Sequence, residues 1–334
     1  MARPRGQRPR TSLDRFFQSR ISTAAPRTLE RYARLLSPKQ ALEPVPGWWF
    51  GIPATRDDLG TFARRLIWER YRDEKLESHL AVKWCNGLRL YLRLGNGVSY
   101  SVFVGGAYEP NELTFLAKTL APGMTVVDVG ANEGLFSLLS ASCVGGAGRV
   151  IAVEPSFREF EWLQANIGLN RLGNIEPVRQ ALYSQAGSAW LTLAEFGHEG
   201  LNTIGDRIAN PAVSEAGREI VELETLDALV EARRVGRLDL IKLDAEGSEV
   251  RILEGGLATL CRFHPILLIE VEADHLAAQG SSVEGLLELL ADLNYRVWVF
   301  DDDGLPRLHV GDEPLSSNIV AASDHPRRSS FRPR

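Results

Sequence analysis

The sequence predicts a doubly wound α/β fold, Rossmann-like, with a mostly parallel sheet that closes on an antiparallel C-terminal hairpin strand. Three observations predict it. The apolar run Val126-Val127-Asp128-Val129 breaks into a glycine turn at Gly130 and opens a helix after Gly134. That strand–turn–helix unit forms the ligand crevice of open parallel sheets. From Glu109 onward, apolar runs of strand length alternate with helical patterns, which builds a sheet covered by helices on both faces. The last two apolar runs, 295–300 and 318–321, are separated by polar turns and read as a hairpin.

In chain order, residues 1–45 are rich in Arg, Pro and Ser and read as a basic, flexible arm with one amphipathic helix over 29–36. The aromatic cluster Trp48-Trp49-Phe50 reads as an anchor of that arm on the main domain. Asp57-Asp58 precede a helical pattern over 59–71, with apolar spacing at Leu59, Phe62, Leu66 and Tyr71. Asn86-Gly87 between runs 81–84 and 88–92 is a strong hairpin signal. Gly95-Asn96-Gly97 leads into a third run, 98–104, so 46–107 is expected to form an accessory cap of one helix and a β-meander. The main domain spans 108–323. A helix over 110–120 leads to the first strand, ending near Val129, and a helix over 135–142 leads to the second, 150–153, ending in Glu154. A helix over 158–170 precedes the third strand, 175–178. The fourth, 238–243, ends in Asp244, and the fifth, 266–269, at Glu270, with helical patterns over 249–260 and 283–293. Residues 324–334 read as a basic disordered tail.

Composition bounds the function classes. Hydrophobic content of 44% and charged content of 24% are those of an ordinary globular protein. The net charge of −5 hides an asymmetry: Arg3, Arg5, Arg8, Arg10, Arg15 and Arg20 crowd one end, and Arg327, Arg328, Arg332 and Arg334 the other. Basic tails can dock phosphate-rich partners, but the acidic body between them argues against a nucleic-acid partner. No stretch approaches the roughly twenty apolar residues of a membrane span, and no apolar core follows the basic start as in a secretory signal. Cys85, Cys143 and Cys261 have no CxxC spacing, so neither a disulfide framework nor a zinc site is expected. Cys143 and Cys261 are expected in the core, and the expected compartment is the cytoplasm.

Ligands of such sheets bind beyond the carboxyl ends of the strands, so the strand-end residues carry the chemistry. A dinucleotide site needs a middle glycine for close approach of the pyrophosphate, and this turn has Asn132 there. Glu154, twenty residues past Gly134, is placed to bind ribose hydroxyls. A cofactor with a ribose and no phosphate fits, and S-adenosylmethionine (SAM) is the candidate. Asn132 argues against the rival reading, a nicotinamide-dependent oxidoreductase. Gln180 and Ala181 are expected against the adenine. Asp128 orients the glycine turn or the aminoacyl part of SAM, or serves only as an anion at the helix N-terminus.

The second informative segment is Lys242-Leu243-Asp244-Ala245-Glu246-Gly247-Ser248-Glu249. Asp-Pro-Pro-Tyr there would suit a nitrogen acceptor and Pro-Cys a pyrimidine carbon; neither is present. The carboxylates of Asp244 and Glu246 suit a hydroxyl acceptor, whose proton must be taken as it attacks. The segment also reads as a capped helix start. Asp244, Glu246, Glu270 and Glu272 together could hold Mg²⁺, and His198 is a further base candidate.

Both segments together resemble the FkbM family of SAM-dependent methyltransferases. The matching residues are Tyr108-Glu109-Pro110, Val127 through Gly134, Val153-Glu154-Pro155, Ile241 through Gly247, and Ser317 through Ala321. The resemblance covers about residues 80–323. It implies a class I methyltransferase fold and O-methylation of hydroxyls on secondary metabolites, polyketides or sugars. It also implies cofactor contacts from Glu109, Asp128, Gly130, Asn132 and Glu154; Gly134 and Pro155, in the same matched segments, are expected to bind the cofactor as well. No settled base comes with it, so Asp244 and Glu246 are read from the residues alone.

Overall fold

The computed structural model describes residues 12–38, 58–76, 78–311 and 313–323. The strands are, in chain order, β1 (His79–Lys83), β2 (Arg89–Arg93), β3 (Thr125–Val129), β4 (Arg149–Val153), β5 (Ile175–Val178), β6 (Ala181–Leu182), β7 (Gly187–Ala194), β8 (Thr203–Ile204), β9 (Glu215–Glu224), β10 (Leu240–Leu243), β11 (Ile266–Glu270), β12 (Tyr295–Phe300), β13 (Pro306–Leu308) and β14 (Asn318–Ser323). The central sheet has the order β13-β12-β14-β11-β10-β3-β4-β5. β5, β4, β3, β10 and β11 run parallel, and β14 inserts antiparallel between β11 and β12. The mostly parallel sheet and its antiparallel closing strand are therefore as the sequence predicts.

Side-chain alternation sorts the central strands into two cores. Val126, Val150, Leu240 and Leu268 face helices Pro110–Thr119, Leu135–Val144 and Phe157–Asn170. Val127, Ile151, Ile241 and Leu267 face helices Leu226–Ala232, Glu249–Glu254 and Val283–Asp292. Burial on both sides explains why these strands read as continuous apolar runs. The N-terminal elements extend the first core: Ile21, Leu29, Ala33, Ile67 and Tyr71 belong to the same cluster as Leu138 and Leu139.

Several expectations need correction. The arm expected to be flexible contains helices Ser12–Ser22 and Pro26–Leu36, packed through Ile21 and Leu29. The run after Asn96 is helical, over Gly97–Ser99 and Tyr100–Gly105. Asn96 explains this: its side chain accepts from Ser99 N at 2.8 Å, its carbonyl accepts from Trp68 Nε1 at 3.0 Å, and Gly106 ends the segment at φ +79°. A short apolar run does not distinguish strand from helix by periodicity. Residues 181–224 contribute a second sheet of order β6-β9-β7-β8, whose two-residue strands β6 and β8 and charged, largely exposed β9 conceal the pattern. The helix expected over 249–260 breaks at Gly255-Gly256 into Glu249–Glu254 and Leu257–Phe263, and helix Ala273–Ala278 had no distinct sequence signal. Cys261 is exposed, not in the core. The aromatic cluster 48–50 and the terminal arginines other than Arg15 and Arg20 lie outside the described residues. Among the described residues no helix is long and apolar enough to cross a membrane.

A buried ion cluster joins the β1–β2 hairpin to the main domain. Arg93 pairs with Glu133 at 2.5 Å and Glu159 at 3.2 Å, and Asn96 Nδ2 donates to Glu133 at 2.6 Å. Glu133 and Glu159 are essentially inaccessible to solvent. Removing one member of such a cluster strands the other charges in a low-dielectric interior. Arg93→Ala is expected to lose about 3–5 kcal/mol in urea unfolding, whereas Arg34→Ala, which breaks the exposed pair with Glu30, changes stability by about 0.5 kcal/mol or less.

Candidate active site

A cavity of about 770 Å³ lies beyond the carboxyl ends of β3, β4, β10 and β11. Trp68, Arg72 and Tyr100 line it from the N-terminal side, and residues 197–202 line it from the second sheet. Of the residues singled out in the sequence, Glu109, Gly130, Asn132, Glu154, Pro155, Gln180, Ala181, Asp244 and Glu246 line this one cavity. Asp128 and Gly134 do not; they lie behind it.

The turn after β3 is shaped by contact with the end of β10. Gly130 has φ +74°, and a β-carbon there would collide with the carbonyl oxygen of Asp244, so only glycine lets the two strand ends meet. Asn132 follows in the left-handed region at φ +49°. Its backbone N–H donates to Glu154 Oε2 at 2.8 Å, while Ser156 N donates to Oε1 at 2.9 Å. Two backbone donors thus fix the Glu154 carboxylate and leave its remaining lone pairs for a ligand. Burial pushes its pKa up to about 8. Gln180 is half-buried and donates to Glu222 at 3.3 Å.

Asp128 is fully buried and accepts from Ser137 Oγ at 2.5 Å. It stands in register with Lys242 on the neighbouring strand. Lys242 is itself buried, donates to Asp244 Oδ2 at 2.8 Å, and lies 4.5 Å from the centroid of the Phe136 ring. Burial works against its charge, but Asp244, Asp128 and Glu109 overcome this and raise its pKa. The ammonium is therefore permanent, and Asp244 is its partner. Lys242 is the functional residue that sequence reasoning left without a role. Its signal was there: an ionisable side chain in the middle of a fully buried strand.

Beyond Asp244 the cavity wall is acidic. Glu246 Oε2 meets His275 Nδ1 at 2.7 Å. Burial pushes Glu246 and Glu112 up to about 7, and raises Glu109 and Glu270 well above the ordinary carboxylate range. The Glu112 side chain accepts from Asn318 at 3.2 Å through Oε1, while its buried Oε2 has no partner among the described residues, nor has the buried Asn132 Oδ1. Acceptors left open toward a cavity, a ribose-height carboxylate and an acidic end fit a ligand that combines hydroxyls with positive charge, as SAM does. His275 had no local signal in the sequence. His198 lines the cavity but is exposed.

The family model described as the methyltransferase FkbM domain matches residues 128–297, about half of the chain. The chain belongs to the FkbM methyltransferase family. The family is one of methyltransferases, and the match gives no support to the oxidoreductase reading. The AMB antimetabolite synthetase AmbE of Pseudomonas aeruginosa is 28% identical over 68% of this chain and 12% of its own length. The methyltransferase sdnD of Sordaria araneosa is 30% identical over 39% of this chain and 59% of its own. The chain thus spans only part of these curated relatives. Among solved structures, it is similar to the methyltransferase FkbM of Methylobacillus flagellatus KT, at 16% identity over 64% of this chain and 51% of that one, with a TM-score of 0.38. A SAM-dependent O-methyltransferase of Thermotoga maritima gives 14% identity over 73% and 77%, with a TM-score of 0.39. Likeness this distant carries no argument about chemistry.

The four carboxylates that could together hold Mg²⁺, a possibility the sequence did not favour, do not assemble as such. Asp244 is engaged by Lys242. Glu246, Glu270 and His275 approach within 4.8 Å of one another, but Glu246 and His275 pair with each other, and a hard cation that favours an oxygen shell finds an imidazole in its place.

The raised carboxylates make stability depend on pH. In the unfolded chain a glutamate titrates near 4.5, whereas folded Glu112 and Glu246 titrate near 7 and Glu154 near 8. Between those limits the folded state binds more protons, so the contribution of these groups to stability falls as pH rises through that window. Melting temperature of the free protein is expected to decline from pH 5 to 8.5, with a shallower slope in Glu154→Gln. SAM should stabilise more at the alkaline end. A free protein whose melting point rises across that range would contradict this account of the cavity.

Proposed function

We propose that this enzyme transfers the methyl group of SAM to a hydroxyl of a small molecule, such as a secondary-metabolite, polyketide or sugar intermediate. The observation that carries the reading is the composition of the cavity wall beyond Asp244. Glu246 and His275 meet there, in the same cavity as Glu154, and the segment contains no Pro-Pro-Tyr and no cysteine. A hydroxyl is a poor nucleophile until its proton has somewhere to go, and a carboxylate that titrates near neutrality provides that. The sulfonium methyl is already electrophilic, so alignment of the attacking oxygen supplies much of the rest. The name of AmbE, an antimetabolite synthetase, supports a natural-product intermediate as acceptor.

In this reading Glu154 holds the ribose hydroxyls, and Gly130, Asn132 and Pro155 shape the crevice around them. Gln180 and Ala181 flank the adenine, and Glu109 faces the aminoacyl end. Asp128 and Gly134 act from behind, Asp128 through Lys242 and Gly134 by opening helix Leu135–Val144. Asp244, paired with Lys242, faces the cationic cofactor as a fixed anion. Proton acceptance falls to Glu246 and its surroundings, not to Asp244.

Glu154→Ala is expected to weaken SAM binding by about 1–3 kcal/mol, as two hydrogen bonds to the ribose are lost. Isothermal titration calorimetry checks this, and unchanged affinity would remove Glu154 from the site. The acceptor class is tested with methyl-labelled SAM and a panel of hydroxylated sugars and polyketides, with NMR of the product. An O-methyl resonance is expected; label found only on nitrogen or carbon would refute the hydroxyl reading.

A further inference from the structure

We propose that His275 and Glu246 form a proton-accepting dyad, in which His275 Nε2 takes the acceptor's hydroxyl proton and Glu246 orients the imidazole. The inference rests on the hydroxyl-acceptor reading and adds to it the residue that performs the step. Three features of the structure carry it. The Nδ1–Oε2 separation of 2.7 Å pairs one ring nitrogen with Glu246 at ion-pair distance, although the N–H is not aligned for a hydrogen bond. Nε2 has no partner among the described residues, and His275 lines the cavity. The pair is also held from both sides. Gly247 has φ +100°, and a β-carbon there would strike the His275 carbonyl, so glycine lets the turn after β10 pack directly on helix Ala273–Ala278. Thr203 Oγ1 of β8 donates to the Glu246 carbonyl at 3.1 Å, and Gln279, just past that helix, donates to Thr203 Oγ1 at 3.3 Å.

Three neighbouring carboxylates are otherwise occupied. Asp244 is paired with Lys242, and Glu154 is held by two backbone N–H groups. Glu249 accepts from Ala245 N at 2.8 Å and caps the turn. The charged groups around the imidazole are Glu246 and Glu249 from the segment after β10, Glu270 at the end of β11, and Glu272 at the start of its own helix. All are acidic, and the contact with Glu246 is the largest cause of the raised His275 pKa. Such surroundings stabilise an imidazolium once it forms.

The step balances without a further reagent. The acceptor oxygen bonds to the methyl carbon as the carbon–sulfur bond breaks, and that electron pair remains on sulfur. The hydroxyl proton passes to Nε2, Nδ1–H stays beside Glu246, and the imidazolium then returns its proton to solvent.

Two measurements test the dyad on the full chain. Diethyl pyrocarbonate acylates neutral imidazole, so its rate at the His275 peptide, read by mass spectrometry from pH 5 to 9, titrates this one residue. Its midpoint is expected above that of a free imidazole in the wild type, lower by about half a unit or more in Glu246→Gln, and partly restored in Glu246→Asp. An identical midpoint in the wild type and Glu246→Gln overturns the dyad. Methyl transfer from labelled SAM to methyl glucoside and catechol is the second measurement. His275→Gln is expected to lose about 100-fold or more in kcat while calorimetric SAM affinity stays within about twofold. Glu246→Gln should move the acid limb of kcat/KM to lower pH, which a merely structural role would not do. Wild-type turnover in His275→Gln overturns the proposal. A wild type that methylates only non-hydroxyl groups refutes the acceptor reading instead, and the His275 titration still decides whether the pair is coupled.

Discussion

The buried ammonium of Lys242 is the constraint around which this crevice is organised. Gathering carboxylates at one end of a parallel sheet is electrostatically unfavourable, because every added anion raises the cost of the others in a low-dielectric wall. Lys242 offsets that cost from within the sheet, in register with Asp128, bonded to Asp244 and backed by Phe136. The compensation is local. Asp128, Asp244, Glu109 and Glu112 lie inside its reach, whereas Glu246 and Glu270 depend on protons or on a cationic ligand. The same cavity therefore has a fixed end, where charge is settled by the protein, and an adjustable end, where it is settled by what binds.

In the proposed reading, that division matches the two tasks of methyl transfer. The cofactor side is rigid: Gly130 allows the ends of β3 and β10 to touch, and backbone N–H groups clamp Glu154. The acceptor side consists of groups whose protonation changes near neutrality, as proton transfer requires. The N-terminal elements cover both. Their attachment through Arg93, Glu133, Glu159 and Asn96 makes the wall formed by Trp68, Arg72 and Tyr100 continuous with the core, so it is not a loosely tethered lid.

The sequence by itself determined the parallel core, the antiparallel closing strand, the glycine turn, the position of Glu154 just past β4 and the acidic segment after β10. Each is a local pattern: an apolar run bounded by glycine, or a charged residue at a strand end, is set by near neighbours and by two-sided burial. Only the tertiary structure decided which of those residues face the cavity. Asp128 reads like a ligand contact but points into the core beside Lys242, because alternation along a strand buried on both faces gives no sign of which side is open. The tertiary structure also decided the fate of the run 98–104, where Asn96 and Trp68 impose helical geometry on residues whose pattern permits either form. The second sheet stayed hidden because β6 and β8 are only two residues long and β9 is solvated and charged, so hydrophobic periodicity has little to report. The pairing of His275 with Glu246 joins positions on different elements, and no residue pattern encodes a distance that exists only once β10, β11 and the helix after them have packed.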